Sequence, residues 1–205
     1  TETVDEAKEL DHKTLEAWLG HPRLHVIDNS TDFETKIARV TKLICVDVGK
    51  EPKVARHKYL VISATIPSSV SAEVVTVESI FLSEEKNIRV IKRSQQGSST
   101  YSVKEYRGQL LESYEHITAA KFLEYSVKQS AVSCVKKKTN FIWNHHHYSL
   151  QEYQAGCITL TVGGHHDTSA DHPFPPFIAI SKDITDNSKY SCLGMAYSCP
   201  TDLSE

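Results

Sequence analysis

Nothing in the 205 residues approaches the ~20 consecutive apolar positions that a membrane-crossing helix requires. A surplus of positive charge is missing too. With 23 Lys and Arg against 26 Asp and Glu, the formal charge is -3. That excludes a generally basic nucleic-acid binder and leaves any affinity for phosphate to local clusters. The five cysteines, Cys45, Cys134, Cys157, Cys192 and Cys199, form no CxxC pair. Odd in number and without a secretory leader, they read as reduced thiols of a cytoplasmic protein. No internal repeat or low-complexity tract is present, and the phosphate-cradling GxxxxGK(S/T) loop is absent. The chain opens on Thr1 and residues 1–10 do not read as a leader, so the expectation is a fragment of a longer protein.

What is present is 40% hydrophobic content, enough for one substantial core. Over residues 4–19 apolar side chains recur at helical spacing, and Gly20-His21-Pro22 stops the helix. Residues 24–28 read as a short strand. Thr31 or Asp32 can cap a second helix over about 33–46, closed by Gly49, with Glu51-Pro52 as a linker. After the linker the apolar period changes to two. Strands are expected at 57–65, 74–82, 87–94, 100–106, 140–150, 157–162, 177–181 and 191–197, with a helix over 117–129 and a loop over 163–176. The fold class is α+β: a mostly antiparallel β barrel or tunnel with an inserted helix, preceded by a helix–strand–helix run of α/β type.

Residues 89–106 read as a hairpin turning at Gln96-Gly97-Ser98. Arg89, Ile91 and Arg93 share one face of the first strand, and Lys104 lies on the return strand. If they point the same way, three cations stand on one wall where an ordinary core would bury apolar residues. Such a wall needs an anion, an acidic partner or water against it. The other reading is a solvated basic face.

The runs Gly20-His-Pro22, Val26-Ile-Asp-Asn-Ser30 and Asp32-Phe-Glu34 with Lys36, Ile37 and Arg39 resemble the end of a P-loop NTPase domain fused to a CYTH-like domain. That fusion family includes the TRPL translocation defect proteins. The second half resembles the CYTH, or triphosphate tunnel, superfamily. Its anchors are Lys58-Tyr-Leu-Val61, Val77-Glu-Ser-Ile-Phe-Leu82, Arg89-Val-Ile-Lys-Arg93, Tyr101-Ser-Val-Lys104, Lys136-Lys-Lys-Thr-Asn-Phe-Ile-Trp143 and Ser149-Leu-Gln-Glu-Tyr153. The resemblance implies an NTPase remnant over 1–52, without its phosphate loop, and a tunnel domain over 53–205. Asp28, Asn29 and Arg39 would be remnants near a nucleotide pocket, or simply a strand end and two caps.

In the tunnel family, inward side chains from alternate strand positions line a lumen. Basic ones hold a polyphosphate, and an E-x-E pair holds a divalent metal. The resemblance places Lys58, Arg89, Arg93 and Lys104 on the phosphate-binding positions. Val54 and Arg56 stand where the acidic pair belongs, which leaves Glu78, Glu112 and Glu152 as scattered metal candidates. Any Mg²⁺ would then be carried with the phosphate ligand. The function implied is a non-catalytic binder of a phosphate ligand, either a phosphoinositide headgroup or GTP or another nucleotide. It would act in membrane trafficking, cytoplasmic or peripheral at an endosomal or plasma membrane. The alternatives are a metal-dependent triphosphatase of the tunnel class and a structural partner-binding module.

Lys136, Lys137 and Lys138 form a second basic cluster, read either as a contact to anionic lipid or as an exposed loop edge. His145, His146 and His147 alternate faces of a strand, while His165, His166 and His172 fall in the loop beside Asp167 and Asp171. None of these has zinc-site spacing. Cys192 and Cys199 are near enough in sequence to approach one another as reduced core residues.

Overall fold

Two helices open the chain, each started by a polar side chain that takes up free N–H groups. The computed structural model describes residues 3–21, 23–27, 29–51, 56–83, 88–108, 110–128, 131–144, 146–163 and 173–197. Thr3 and Glu6 close a capping box on α1 (Val4–Trp18). Asp32 accepts from the Thr35 N–H at 2.9 Å to start α2 (Phe33–Asp47). The strand expected at 24–28 does not form: residues 24–27 carry no ladder, and Asp28 lies outside the described residues. Polar residues in and beside that run turn to side-chain partners instead. Arg23 stacks on the Tyr114 ring at 5.2 Å, and His25 Nε2 lies 3.1 Å from Asp47 Oδ2.

The rest of the chain forms one antiparallel sheet. Its strands are β1 (Lys58–Ala64), β2 (Ala72–Ser83), β3 (Ile88–Gln95), β4 (Ser98–Arg107), β5 (Leu110–His116), β6 (Val132–Trp143), β7 (His146–Tyr153), β8 (Ile158–Gly163) and β9 (Ile178–Asp183), in the order β5-β4-β3-β2-β6-β7-β8-β1-β9. The single strand expected over 140–150 is two, because Asn144 takes φ +47° and turns β6 back into β7. Asparagine tolerates that conformation better than most residues. Helix α3 (Ala119–Ser126), capped by Thr118, lies between β5 and β6. The run at 191–197, expected as a strand, is a one-turn helix, α4 (Cys192–Tyr197). Ser191 explains the difference: its Oγ accepts from the Gly194 N–H at 2.9 Å, and its carbonyl accepts from Met195 at 2.9 Å.

The two faces of the sheet are built differently. Ile80, Val90 and Phe122 form a core on the outer face of β2 and β3, covered by α3. Phe141, Tyr148, Leu150, Leu160 and Val162 form another on the outer face of β6, β7 and β8. There the Tyr148 hydroxyl donates to the Pro173 carbonyl at 2.6 Å. On the opposite face, Leu60 of β1 and Phe81 of β2 belong to one cluster with Cys134, Tyr153, Tyr190 and Met195. Three strands separate β1 from β2 in the sheet, about 19 Å at the usual strand spacing if it were flat. The sheet therefore curls around that face, and the segment 184–197 fills one end of the hollow.

Gly49 fixes how α2 meets the edge strand β5. Its φ is +74°, and a Cβ built there would stand 2.3 Å from the Leu111 carbonyl oxygen. Both the left-handed backbone and the close approach demand glycine. Gly49→Ala is expected to destabilise the fold by about 1–3 kcal/mol, read as a lower denaturation midpoint. An unchanged midpoint would show that α2 does not dock on β5 in solution.

Candidate anion-binding site

Strand pairing alone decides which side chains face the hollow. Arg89 pairs with Lys104 across β3 and β4, and Lys104 with Tyr114 across β4 and β5. Arg93 pairs with Val77, Val77 with Lys136, and Lys136 with Tyr153. Since paired residues share a face, Arg89, Arg93, Lys104 and Lys136 all face inward. Lys58 joins them from β1, in register with Thr161, Ser149 and Asn140. The four residues expected as phosphate-binding, Lys58, Arg89, Arg93 and Lys104, therefore lie on one concave wall. All are partly buried. Lys136 belongs to the same wall.

Aromatic rings and neutral oxygens, not carboxylates, hold these cations apart. Lys58 and Lys136 lie 5.4 and 5.2 Å from the Tyr153 ring centroid, and their Nζ atoms are 3.2 and 3.5 Å from its hydroxyl oxygen. Lys58 also donates to the Tyr190 carbonyl, and Lys136 donates to Gln151 Oε1 at 2.7 Å. Arg89 lies between Phe81 and Tyr106, 5.0 and 5.6 Å from their centroids. Lys104 and Arg23 each lie 5.2 Å from the Tyr114 ring. Such contacts contribute roughly 0.5–2 kcal/mol each.

Burial, with Lys136 nearby, pushes Lys58 down to about 8. Burial, then Arg89 and Arg23, also lowers Lys104, and Asp47 opposes them. Burial lowers Arg93. Burial works against Lys136 as well, but Cys192, Tyr153 and Cys134 outweigh it and hold its charge.

Between the cations the wall is polar and short of partners. Ser79, Ser102, Asn140, Ser149, Gln151 and Thr159 are buried on this face. Gln151 donates to Thr161 at 2.6 Å. Arg89 Nε, Asn140 Nδ2, Ser149 Oγ and Thr159 Oγ1 find no hydrogen-bond partner among the described residues. Orphaned polar atoms inside a fold are uncommon. Four on one wall mark it as a surface for a polar guest or water.

The N-terminal segment narrows the other end of the hollow. Leu19 is buried, and Gly20, with φ +84°, lies against Glu73, Val75 and Gln95 so closely that a Cβ would be 3.0 Å from Glu73 Cγ. A cleft of about 890 Å³ remains there, lined in part by His21, Arg23, Arg93, Thr100, Tyr114 and His116.

Other expected residues are placed elsewhere. Glu78 faces outward beside Lys92, Glu152 faces outward in a 3.3 Å ion pair with Lys137, and Glu112 pairs with exposed Arg107 at the sheet edge. The three candidate metal ligands thus do not converge. Among the described residues no three His, Cys, Asp or Glu side chains group as metal ligands, so this donor set does not fit a divalent ion. Val54 lies outside the described residues. The Lys136-Lys137-Lys138 run is split by strand alternation: Lys137 faces out, and its neighbours face in. It does not form one membrane-facing patch.

Asn29 Oδ1 accepts from Lys36 at 2.5 Å, and Arg39 donates to Ser30 and Thr31, so both serve the start of α2. His147 lies on the inner face, where burial, then Arg56 and Lys138, pushes it down to about 3. His145, His165, His166, His172, Asp167, Asp171 and Cys199 lie outside the described residues. Lys136, expected with its two neighbours at an anionic lipid surface or an exposed loop edge because three consecutive lysines read as a surface run, faces the lumen instead. The period-two alternation of 132–143 was the signal that separates them.

No family model and no curated protein matches the chain. Among solved structures, that of the inorganic triphosphatase NE1496 superposes with a TM-score of 0.51 and 18% identity, over 73% of this chain and 99% of that one. A second crystal structure, of NE1496 as a hypothetical protein, gives 0.49 and 16%, over 71% and 98%. The first likeness shows the fold alone: α+β, of the CYTH or triphosphate tunnel type, with the hollow as its lumen. The comparisons give no support to a P-loop NTPase fusion or to a TRPL-type relationship. No helix among the described residues is long and apolar enough to cross a membrane.

The depressed Lys58 gives a pH signature. Its folded value of about 8 lies below the 10.5 of an ordinary lysine, so between those limits the unfolded chain binds more protons than the folded one. Stability contributed by this group must rise with pH across that window, and the cost of its buried charge is fully present below it. Thermal melts from pH 7 to 10 should show a rise that is reduced in Lys58→Met. An equal slope in both proteins would show that Lys58 titrates as an ordinary lysine.

Proposed function

We propose that the lumen binds a linear polyphosphate, either free or as the triphosphate of a nucleotide. The observation that carries this reading is the single wall bearing Lys58, Arg89, Arg93, Lys104 and Lys136, with no carboxylate cluster among the described residues to neutralise it. A phosphate chain suits that wall because each unit brings charge and several acceptor oxygens. Arg89 offers a planar fork that can meet two of them, and the lysines contribute point charges. Any Mg²⁺ would be held by the ligand's own phosphates. An inositol phosphate headgroup shares the chemistry but presents its phosphates around a ring.

A second reading, triphosphate hydrolysis, is favoured by the fold shared with a protein described as an inorganic triphosphatase. Against it stands the donor set. Metal-assisted phosphoryl transfer needs an ion fixed by the protein, and Glu78, Glu112 and Glu152 do not meet. Binding without turnover is therefore the stronger reading.

Calorimetric titration with tripolyphosphate, GTP and inositol hexakisphosphate, each with and without Mg²⁺, separates the ligands. Tripolyphosphate is expected to bind, and Arg89→Ala to weaken it roughly tenfold to a hundredfold, the loss of one charge-assisted pair. Lys104→Glu should abolish binding, and Lys104→Met should weaken it less. No heat with any of the three anions would overturn the proposal. Phosphate release at roughly 1 s⁻¹ or faster, lost in Glu78→Gln, would establish the second reading instead.

A further inference from the structure

At the closed end of the lumen three thiols share one cluster. Cys134 on β6 and Cys157 are buried in it, and Cys192 packs against it from α4. Cys134 and Cys192 are hydrogen-bonded to one another, and Cys192 is also hydrogen-bonded to Ser79, which lies opposite Cys134 across β2 and β6. The contact spans two elements distant in sequence, and α4 packs directly on β6. Lys136 follows two residues after Cys134 on the same face, and Lys58 reaches the same Tyr153 hydroxyl. The three thiols do not form a metal-ligand group among the described residues, and nothing in the anion-binding reading uses them.

We propose that Cys134 and Cys192 form a reversible disulfide, a redox-modification site at the inner end of the tunnel that takes a peroxide as its oxidant. The inference is independent of whether the lumen binds polyphosphate. Geometry supplies the pair, and the cations supply the reactivity. The hydrogen bond from Cys134 lowers Cys192; burial opposes it, and Lys136, Arg89 and Ser79 assist it. Donating that same bond, then burial, raises Cys134. Cys192 is thus the partner shifted toward the thiolate and Cys134 the one shifted toward the thiol, the polarity that peroxide reduction needs.

In the first step the Cys192 thiolate attacks one peroxide oxygen and the O–O bond breaks. The sulfur becomes a sulfenic acid, and the leaving oxygen departs as water or an alcohol after protonation. In the second step the Cys134 sulfur displaces the sulfenic hydroxyl, which leaves as water, and the S–S bond forms. Two thiols are oxidised and one peroxide is reduced. The sulfurs must close from hydrogen-bond distance to about 2 Å, and α4, only six residues long, can carry that shift.

The test treats the reduced full chain with hydrogen peroxide at pH 7, alkylates the remaining thiols and maps linked peptides by mass spectrometry without reduction. The expected result is loss of two thiols per chain and one linked peptide containing Cys134 and Cys192, reversed by dithiothreitol. Cys134→Ser should leave a Cys192 sulfenic acid that a cyclic diketone traps. Cys192→Ser should slow thiol loss roughly tenfold, while Cys157→Ser should behave as wild type. A linkage to Cys45, Cys157 or Cys199 overturns the proposal. So does peroxide treatment that leaves Cys134 open to alkylation. The wild-type peptide map decides the matter even where a variant fails to fold.

Discussion

Cations held side by side away from water raise the free energy of a fold, and this sheet holds them on its concave face. Carboxylates would be the simplest compensation, yet Tyr153, Tyr114, Phe81 and Tyr106 take most of that work, helped by the Gln151 and Tyr190 oxygens. A ring tolerates a cation on its face without neutralising it. The wall therefore keeps its positive potential toward anything that enters. Ion pairs of comparable geometry would have cancelled it.

That constraint divides the two faces of the sheet. With the inner face committed to charge and hydrogen-bonding groups, apolar burial has to come from outside. Phe141, Tyr148, Leu160 and Val162 are almost wholly shielded there beneath the 64–70 and 173–177 segments, and Ile80 and Val90 beneath α3. Among the described residues, the apolar cluster inside the hollow, around Leu60, Phe81 and Met195, exists because 184–197 folds into the lumen and brings its own apolar side chains. It also brings Cys192, whose thiol is shifted down by its contacts and in turn helps hold the charge of Lys136. The lumen is thus graded, with more compensation at the α4 end and less toward Arg93 and the cleft.

Much of this was legible in the sequence because β structure writes its faces at every second residue. Alternation put Arg89 and Arg93 on one face and left Lys104 conditional on the register of the hairpin; pairing in the structure sets Lys104 opposite Arg89. The misses have physical reasons. β5 is an edge strand whose last five residues are exposed, so it lacks the apolar alternation that marks a strand. At 191–197, a serine cap and burial of Met195 override an apolar run of strand-like composition. The apolar run at 24–27 stays out of the sheet because its neighbours are held by Tyr114 and Asp47. The Cys134–Cys192 contact joins residues 58 positions apart, and no local pattern reports such a meeting.

The acidic half of the site is where fold likeness and local chemistry part. Alternation that puts Lys136 and Tyr153 inside must put Lys137 and Glu152 outside, and the same holds for Glu78 against Val77 and Ser79. A one-residue shift of register would reverse those assignments, but it would also turn Phe141 and Tyr148 out of the outer core and into the lumen. Burial of those two rings, stacked 5.4 Å apart, therefore fixes the polarity of the lumen as firmly as the cations do. The inner face keeps Glu73, opposite Asn140 and accepting from Gln96, but among the described residues no cluster of carboxylates, which leaves grip without a protein-held metal. In such a tunnel the counter-charge must come from the guest.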